Sequence, residues 1–253
     1  MDIDFRKIEN EARYKAQNLN VNKDKFASNA IVRALLKEVP EASNLLKNVN
    51  DKIIKNGKNL MIKIKYCSTN YVAQTMEGVN NIYIDLHFEK IRGRIKDVFV
   101  HELGEADYIA RNLPDIVDLK KRDCLKSRIL ELFTHKHIFD LLKSYNLKEK
   151  DVIKDYEEYI TKKDFVKPEE WNTVLGICWE LISFPVFEGK KQSINGYREN
   201  ITYIEKILDI IKNTNTLVNN NNEIRNVETS INKVLKILES LGLDNVNIKS
   251  RIN

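Results

Sequence analysis

The stretch from Gly93 to Arg111, GRIKDVFVHELGEADYIAR, constrains this chain more than any other. Wound as an α-helix, it lines up Ile95, Val98, Phe99, Ala106 and Ile109 on one apolar stripe. Glu102 falls inside that stripe, where a carboxylate is costly unless a partner compensates it. His101 and Glu105, one turn apart, stand on one flank beside it. A core-facing carboxylate with two potential ligands at its side suits a metal site on a helix. The plainer reading is a set of solvated helix charges.

The residues before this helix alternate with period two. Leu60, Ile62, Ile64 and Tyr66 interleave with Met61, Lys63 and Lys65, which predicts a half-buried strand. Ile82, Ile84, Leu86 and Phe88 alternate with Tyr83, Asp85 and His87 in the same way. That places His87 on a polar, solvent-facing side. Between them, Tyr71 to Met76 reads as a further strand, closed by a turn over Glu77-Gly78-Val79-Asn80.

His101-Glu102-Leu103-Gly104-Glu105 resembles the His-Glu-x-x-His helix of the zincin-like metallopeptidase superfamily. Strands, a hairpin and then a His-Glu helix also resemble the zincin core, whose outer strand lies along the substrate cleft. The likeness spans roughly residues 60–145. It implies that His101 is a metal ligand and that Glu102 is the base activating a metal-bound water. Glu105 stands where the family has its second histidine, and Asp107 follows where an apolar residue is usual. Glu105 is therefore a ligand only with carboxylate in place of imidazole. The resemblance implies a divalent metal, zinc first and manganese or iron next, because a carboxylate-rich set is harder. It implies a peptide or protein substrate. A degenerate member, without metal and serving as a binding or scaffolding protein, is the alternative.

A second helix is expected from about Lys120 to Ser144, apolar nearly all round and hence buried. It carries Arg128, Glu131 and His135 close together. In zincins with a glutamate as third ligand, that residue lies on a later helix, so the resemblance implies Glu131. Arg128 and His135 would be its neighbours, with His135 an alternative ligand. A buried Arg128–Glu131 ion pair, with His135 lining a polar pocket, fits the same residues. His137 points to another face. A helical di-metal carboxylate protein would need paired Glu-x-x-His motifs, and this chain has none.

The remaining segments frame this core. Residues 1–56 read as a helical segment, with helices over Asp4–Gln17 and Lys23–Lys37 and a short one over Glu41–Asn48. Residues 57–150 form the zincin-like core. Residues 151–253 form a C-terminal helical region. In it, Pro168 and two acids open a helix running to Ser183, with Trp179 read as core packing. A helical hairpin follows, with stripes from Ile201 to Ile211 and Val227 to Leu241. Residues 146–167 read as a linker with one surface helix. The expected fold is α+β and mostly helical, with a small antiparallel or mixed sheet and helical extensions at both ends.

Composition narrows the function classes. Lysine and arginine number 42 against 37 acids, a formal charge of only +5, and they are spread along the chain. That gives no strong nucleic-acid signal. Three cysteines, Cys67, Cys124 and Cys178, are too dispersed for a disulfide framework. No apolar run reaches membrane length, and the first residues lack a signal-peptide pattern. A cytoplasmic protein is expected, with a homodimer through the C-terminal hairpin as one arrangement.

Overall fold

The computed structural model describes residues 3–66, 72–91, 94–117, 124–147, 169–183, 185–243 and 247–249. The chain divides into two compact units. One comprises Met1–Arg111 with Leu142–Glu149, the other Asn112–Leu141 with Lys150–Asn253. The fold is α+β and mostly helical, with a small mixed sheet.

The first unit opens with α1 (Phe5–Asn18) and α2 (Lys23–Glu38). Each starts at a side-chain cap: Asp4 accepts from the Lys7 amide and Asn22 from the Lys25 amide, both at 2.9 Å. After a 3-10 turn at Pro40–Ala42, α3 runs from Ser43 to Lys55. It outruns the expected Glu41–Asn48 because Val49 and Ile53 prolong the buried stripe begun by Leu45. Gly57, at φ 71°, then turns the chain into the sheet.

Strands β1 (Asn59–Lys65), β2 (Ala73–Glu77) and β3 (Asn81–His87) pair in the order β1-β3-β2. β1 runs parallel to β3, and β2 is its antiparallel hairpin partner. In the hairpin turn, a Cβ at Gly78 would lie 3.0 Å from the Tyr83 ring and 3.3 Å from the Asn81 carbonyl oxygen, tighter than ordinary packing. Ile62, Ile64, Ile82, Ile84 and Leu86 are all buried, as their alternation predicts. The two edges differ. On β1, the Ile62 amide donates to Ser28 Oγ of α2 at 2.8 Å, so a side chain covers that edge. β2 is half-exposed along its length and lies beside α5 (Ile95–Ala110).

His87 departs from expectation. It is 2% exposed rather than solvent-facing. β3 passes directly into a short helix, α4 (Phe88–Ile91), and Phe88 stacks against Phe5 of α1 and Tyr66.

The second unit contains a two-stranded antiparallel sheet of β4 (Asp115–Val117) and β5 (Asn247–Lys249). Helix α6 (Cys124–Ser144) begins in this unit, and its last three residues belong to the first. α7 (Glu170–Ser183), 3-10 turns over Pro185–Ser193, and a hairpin of α8 (Ile201–Lys212) and α9 (Asn221–Ser240) follow. Ile204, Ile207, Leu208 and Ile211 on α8 are buried, as are Val227, Ile231, Val234 and Leu238 on α9. Asn220 caps α9 by accepting from the Glu223 amide at 3.0 Å. Most of the linker expected over residues 146–167 lies outside the described residues. Among those described, no helix is long and apolar enough to cross a membrane.

The covered β1 edge yields a prediction. Ser28→Ala leaves the buried Ile62 amide without its acceptor and costs about 1–3 kcal/mol. Urea denaturation should show a lower midpoint with an unchanged slope.

Candidate functional site

Helix α5 packs on β2, β3 and α3, and it is buried on most sides. Its apolar side chains make that burial favourable. Its two core-facing carboxylates, Glu102 and Asp107, oppose it and must be compensated. The helix achieves this differently at each position.

Glu102 is 5% exposed. Its Oε2 lies 2.7 Å from Thr75 Oγ1 on β2, and the same hydroxyl lies 3.2 Å from the Glu102 backbone carbonyl. Burial pushes the Glu102 carboxyl up to about 8, Glu105 adds to the rise, and His101 and Thr75 oppose it. Near neutral pH the group is therefore mostly a neutral acid. The Thr75 hydroxyl donates to Oε2, the shorter of its two contacts.

His101 and Glu105 sit on the flank of the helix, each with 29% of its side chain exposed, and Nε2 is 3.5 Å from Oε1. Two donors bound to one tetrahedral zinc at ordinary bond lengths lie about 3.3–3.5 Å apart. The spacing thus fits two adjacent ligand positions. It equally fits an ion pair when His101 is protonated.

Asp107 explains itself in the structure. It is fully buried, with Lys52 Nζ of α3 at 2.6 Å from Oδ1 and Arg111 Nε at 2.5 Å from Oδ2. Asn56 at the end of α3 also donates to the Ala110 carbonyl at 2.7 Å. Together these bonds pin the C-terminal half of α5 to α3. Burial depresses the Lys52 ammonium despite the pull of Asp107, as expected for a cation taken partly from water.

The other residues expected at a site belong to the second unit. There the Trp179 indole N–H donates to Glu131 Oε2 at 2.6 Å, and the Arg128 guanidinium lies over the Trp179 ring. His135 Nδ1 and Ser183 Oγ are 2.6 Å apart. So Trp179, expected as core packing, is the residue that holds Glu131. His137 is buried, with Nδ1 at 3.1 Å from the Thr216 carbonyl. The structure brings His101, Glu102 and Glu105 together in one unit and Arg128, Glu131 and His135 together in the other. Among the described residues, no three His, Cys, Asp or Glu side chains form a group that could hold a metal ion. Sequence reasoning missed Thr75, Lys52, Trp179 and Ser183. Each is a partner from a distant element, and no local pattern marks it.

No family model, no curated protein and no solved structure matches this chain.

Two predictions follow from the carboxylates. Asp107→Ala strands Lys52 and Arg111 in partly buried positions and should cost about 3 kcal/mol or more, read as a shifted denaturation midpoint. Glu102 gives a pH dependence. Its folded value is raised, so its contribution is fully present below about 4.5 and is lost as pH rises toward about 8. Melting temperature should fall across that window, and Glu102→Gln should flatten the curve. A parent curve with the same slope as the Gln variant would refute the assignment.

Proposed function

We propose that this chain is a zincin-like metal-dependent hydrolase acting on peptides, with His101 and Glu105 as metal ligands and Glu102 as the base. One observation carries the reading. A buried carboxylate on α5 faces an antiparallel edge strand, and an imidazole–carboxylate pair at ligand spacing stands beside it. A divalent metal held by His101 and Glu105 would supply Lewis acidity toward a scissile carbonyl. Edge strand β2 offers main-chain donors and acceptors to an extended peptide, which sets the substrate alongside α5. Positive charge held between His101 and Glu105 would favour the ionised form of Glu102, which could then take the proton of the attacking water. Two donors on one helix hold an ion loosely. Their mixed character admits manganese and iron besides zinc.

A second reading has its own support. Glu102 is mostly protonated near neutral pH and already bonded to Thr75. A catalytically inactive binding or scaffolding protein on the same frame would keep it that way.

Metal content and hydrolysis together separate the two. Titration with zinc, manganese and iron should raise the melting temperature, by about 2.7 kcal/mol of stability at a hundredfold excess over the dissociation constant. His101→Ala should abolish that rise. Glu102→Gln should keep the metal and lose cleavage of a peptide library, and Glu105→His should favour zinc over manganese. No melting shift with any of the three ions, and a Gln variant indistinguishable from the parent, would leave the inactive reading in its place.

A further inference from the structure

The hairpin of α8 and α9 carries a feature independent of the α5 site. A groove of about 540 Å³ runs between the two helices on the outer side of the hairpin. Its apolar lining is Tyr203, which is exposed, and Ile210, seven residues apart on α8, with Ile237 of α9. Its rims are basic, with Lys206 on the α8 wall and Lys233 and Lys236 on the α9 wall. All three lysines are exposed, and none makes an ion pair or hydrogen bond among the described residues. The one carboxylate in the groove, Asp209, already accepts from Asn213 Nδ2 at 2.9 Å. The groove thus sets three unpaired ammonium groups against one engaged carboxylate.

We propose that this groove docks an amphipathic helix of a partner protein, its apolar stripe against Tyr203, Ile210 and Ile237 and its acidic flanks against the three lysines. Two antiparallel helices with an apolar seam between them take a third helix as a bundle does. Charge selects the partner, because lysines on both walls require acids on both flanks of the incoming helix. The same charges disfavour a second copy of this chain on this face, since a two-fold pairing would set lysine against lysine. A duplex would call for an extended basic stripe rather than three lysines around a depression.

The test uses the full chain and a display library of helix-patterned peptides of about 18 residues, about five turns. The stripe positions vary among Leu, Ile, Phe and Met, and the flanks among Glu, Asp, Lys, Arg and Gln. Selection should converge on acidic flanks. By fluorescence anisotropy, the selected peptides should bind at least about tenfold more weakly to a Lys206→Glu, Lys233→Glu, Lys236→Glu variant, and more weakly as salt rises. Tyr203→Ser, which alters no charge, should also weaken binding, and a scrambled peptide of the same composition should not bind. Circular dichroism checks that both variants fold, and a Lys→Gln triple variant should lose binding in the same direction. Convergence on basic or uncharged flanks, indifference to the triple variants, or equal binding of the scrambled peptide would overturn the proposal. So would binding of anionic vesicles or duplex DNA through these lysines while no selected peptide binds, or a dimer of the chain that the triple variant dissociates.

Discussion

Burying a carboxylate on a helix that must pack on nearly all sides is the constraint around which the first unit is arranged. α5 does it twice, with opposite chemical results. Asp107 receives a cation from α3 and another from its own helix, so it stays charged and becomes a clamp. Glu102 receives only a hydroxyl, from Thr75, and lies near the negative charge of Glu105. Neutralisation by a proton is then the cheaper outcome. Five residues apart on one helix, one acid is structural and the other titratable, and the difference lies in what the neighbouring elements present. α3 supplies Lys52 and Asn56, and β2 supplies Thr75. Moving either element would leave a buried charge or a buried hydroxyl without its partner.

The sheet is asymmetric in a way that matters for the proposed activity. Ser28 covers β1, and Lys58 pairs with Glu77 at the far end of β2 at 2.5 Å. No described strand pairs with the outer side of β2. An open edge is ordinarily a liability, restrained here by a strand of only five residues. Placed beside a titratable carboxylate, it is also where an extended chain would lie. In the hydrolase reading the edge orients a substrate. In the binding reading it orients a ligand that is not cut.

Much of this frame could be read from local periodicity. The alternations around Ile62 and Ile84 locate β1 and β3, and Gly78 lies in the turn before β3. A helical wheel through Val98, Phe99 and Ala106 is enough to place Glu102 in the core. What could not be read is every contact between distant residues. Asp107 meets Lys52 across 55 positions, and no spacing rule connects them. His87 alternates as an outward residue and yet is buried, as is Asp85 on the same side of β3. Arg128 and Glu131, three apart on α6, suggest an ion pair. The structure instead gives Glu131 the Trp179 N–H and lays Arg128 on the Trp179 ring, because α7 supplies a partner that helical spacing cannot foresee.

The glutamate at position 105 acts on Glu102 as well as facing His101. A neutral imidazole there would add no charge beside Glu102. A carboxylate adds a like charge, and it stands second only to burial among the causes that raise the Glu102 carboxyl. In the proposed hydrolase, Glu105 would therefore act on the base as well as on the metal. Without a cation on the flank, Glu105 helps hold Glu102 in its protonated form, bonded to Thr75. With a cation between His101 and Glu105, the nearest charge reverses sign and the ionised form is favoured. A histidine at 105 would weaken the first of these states and keep the second. Glu102 is thus more dependent on what its flank holds with a carboxylate at 105 than it would be with an imidazole there.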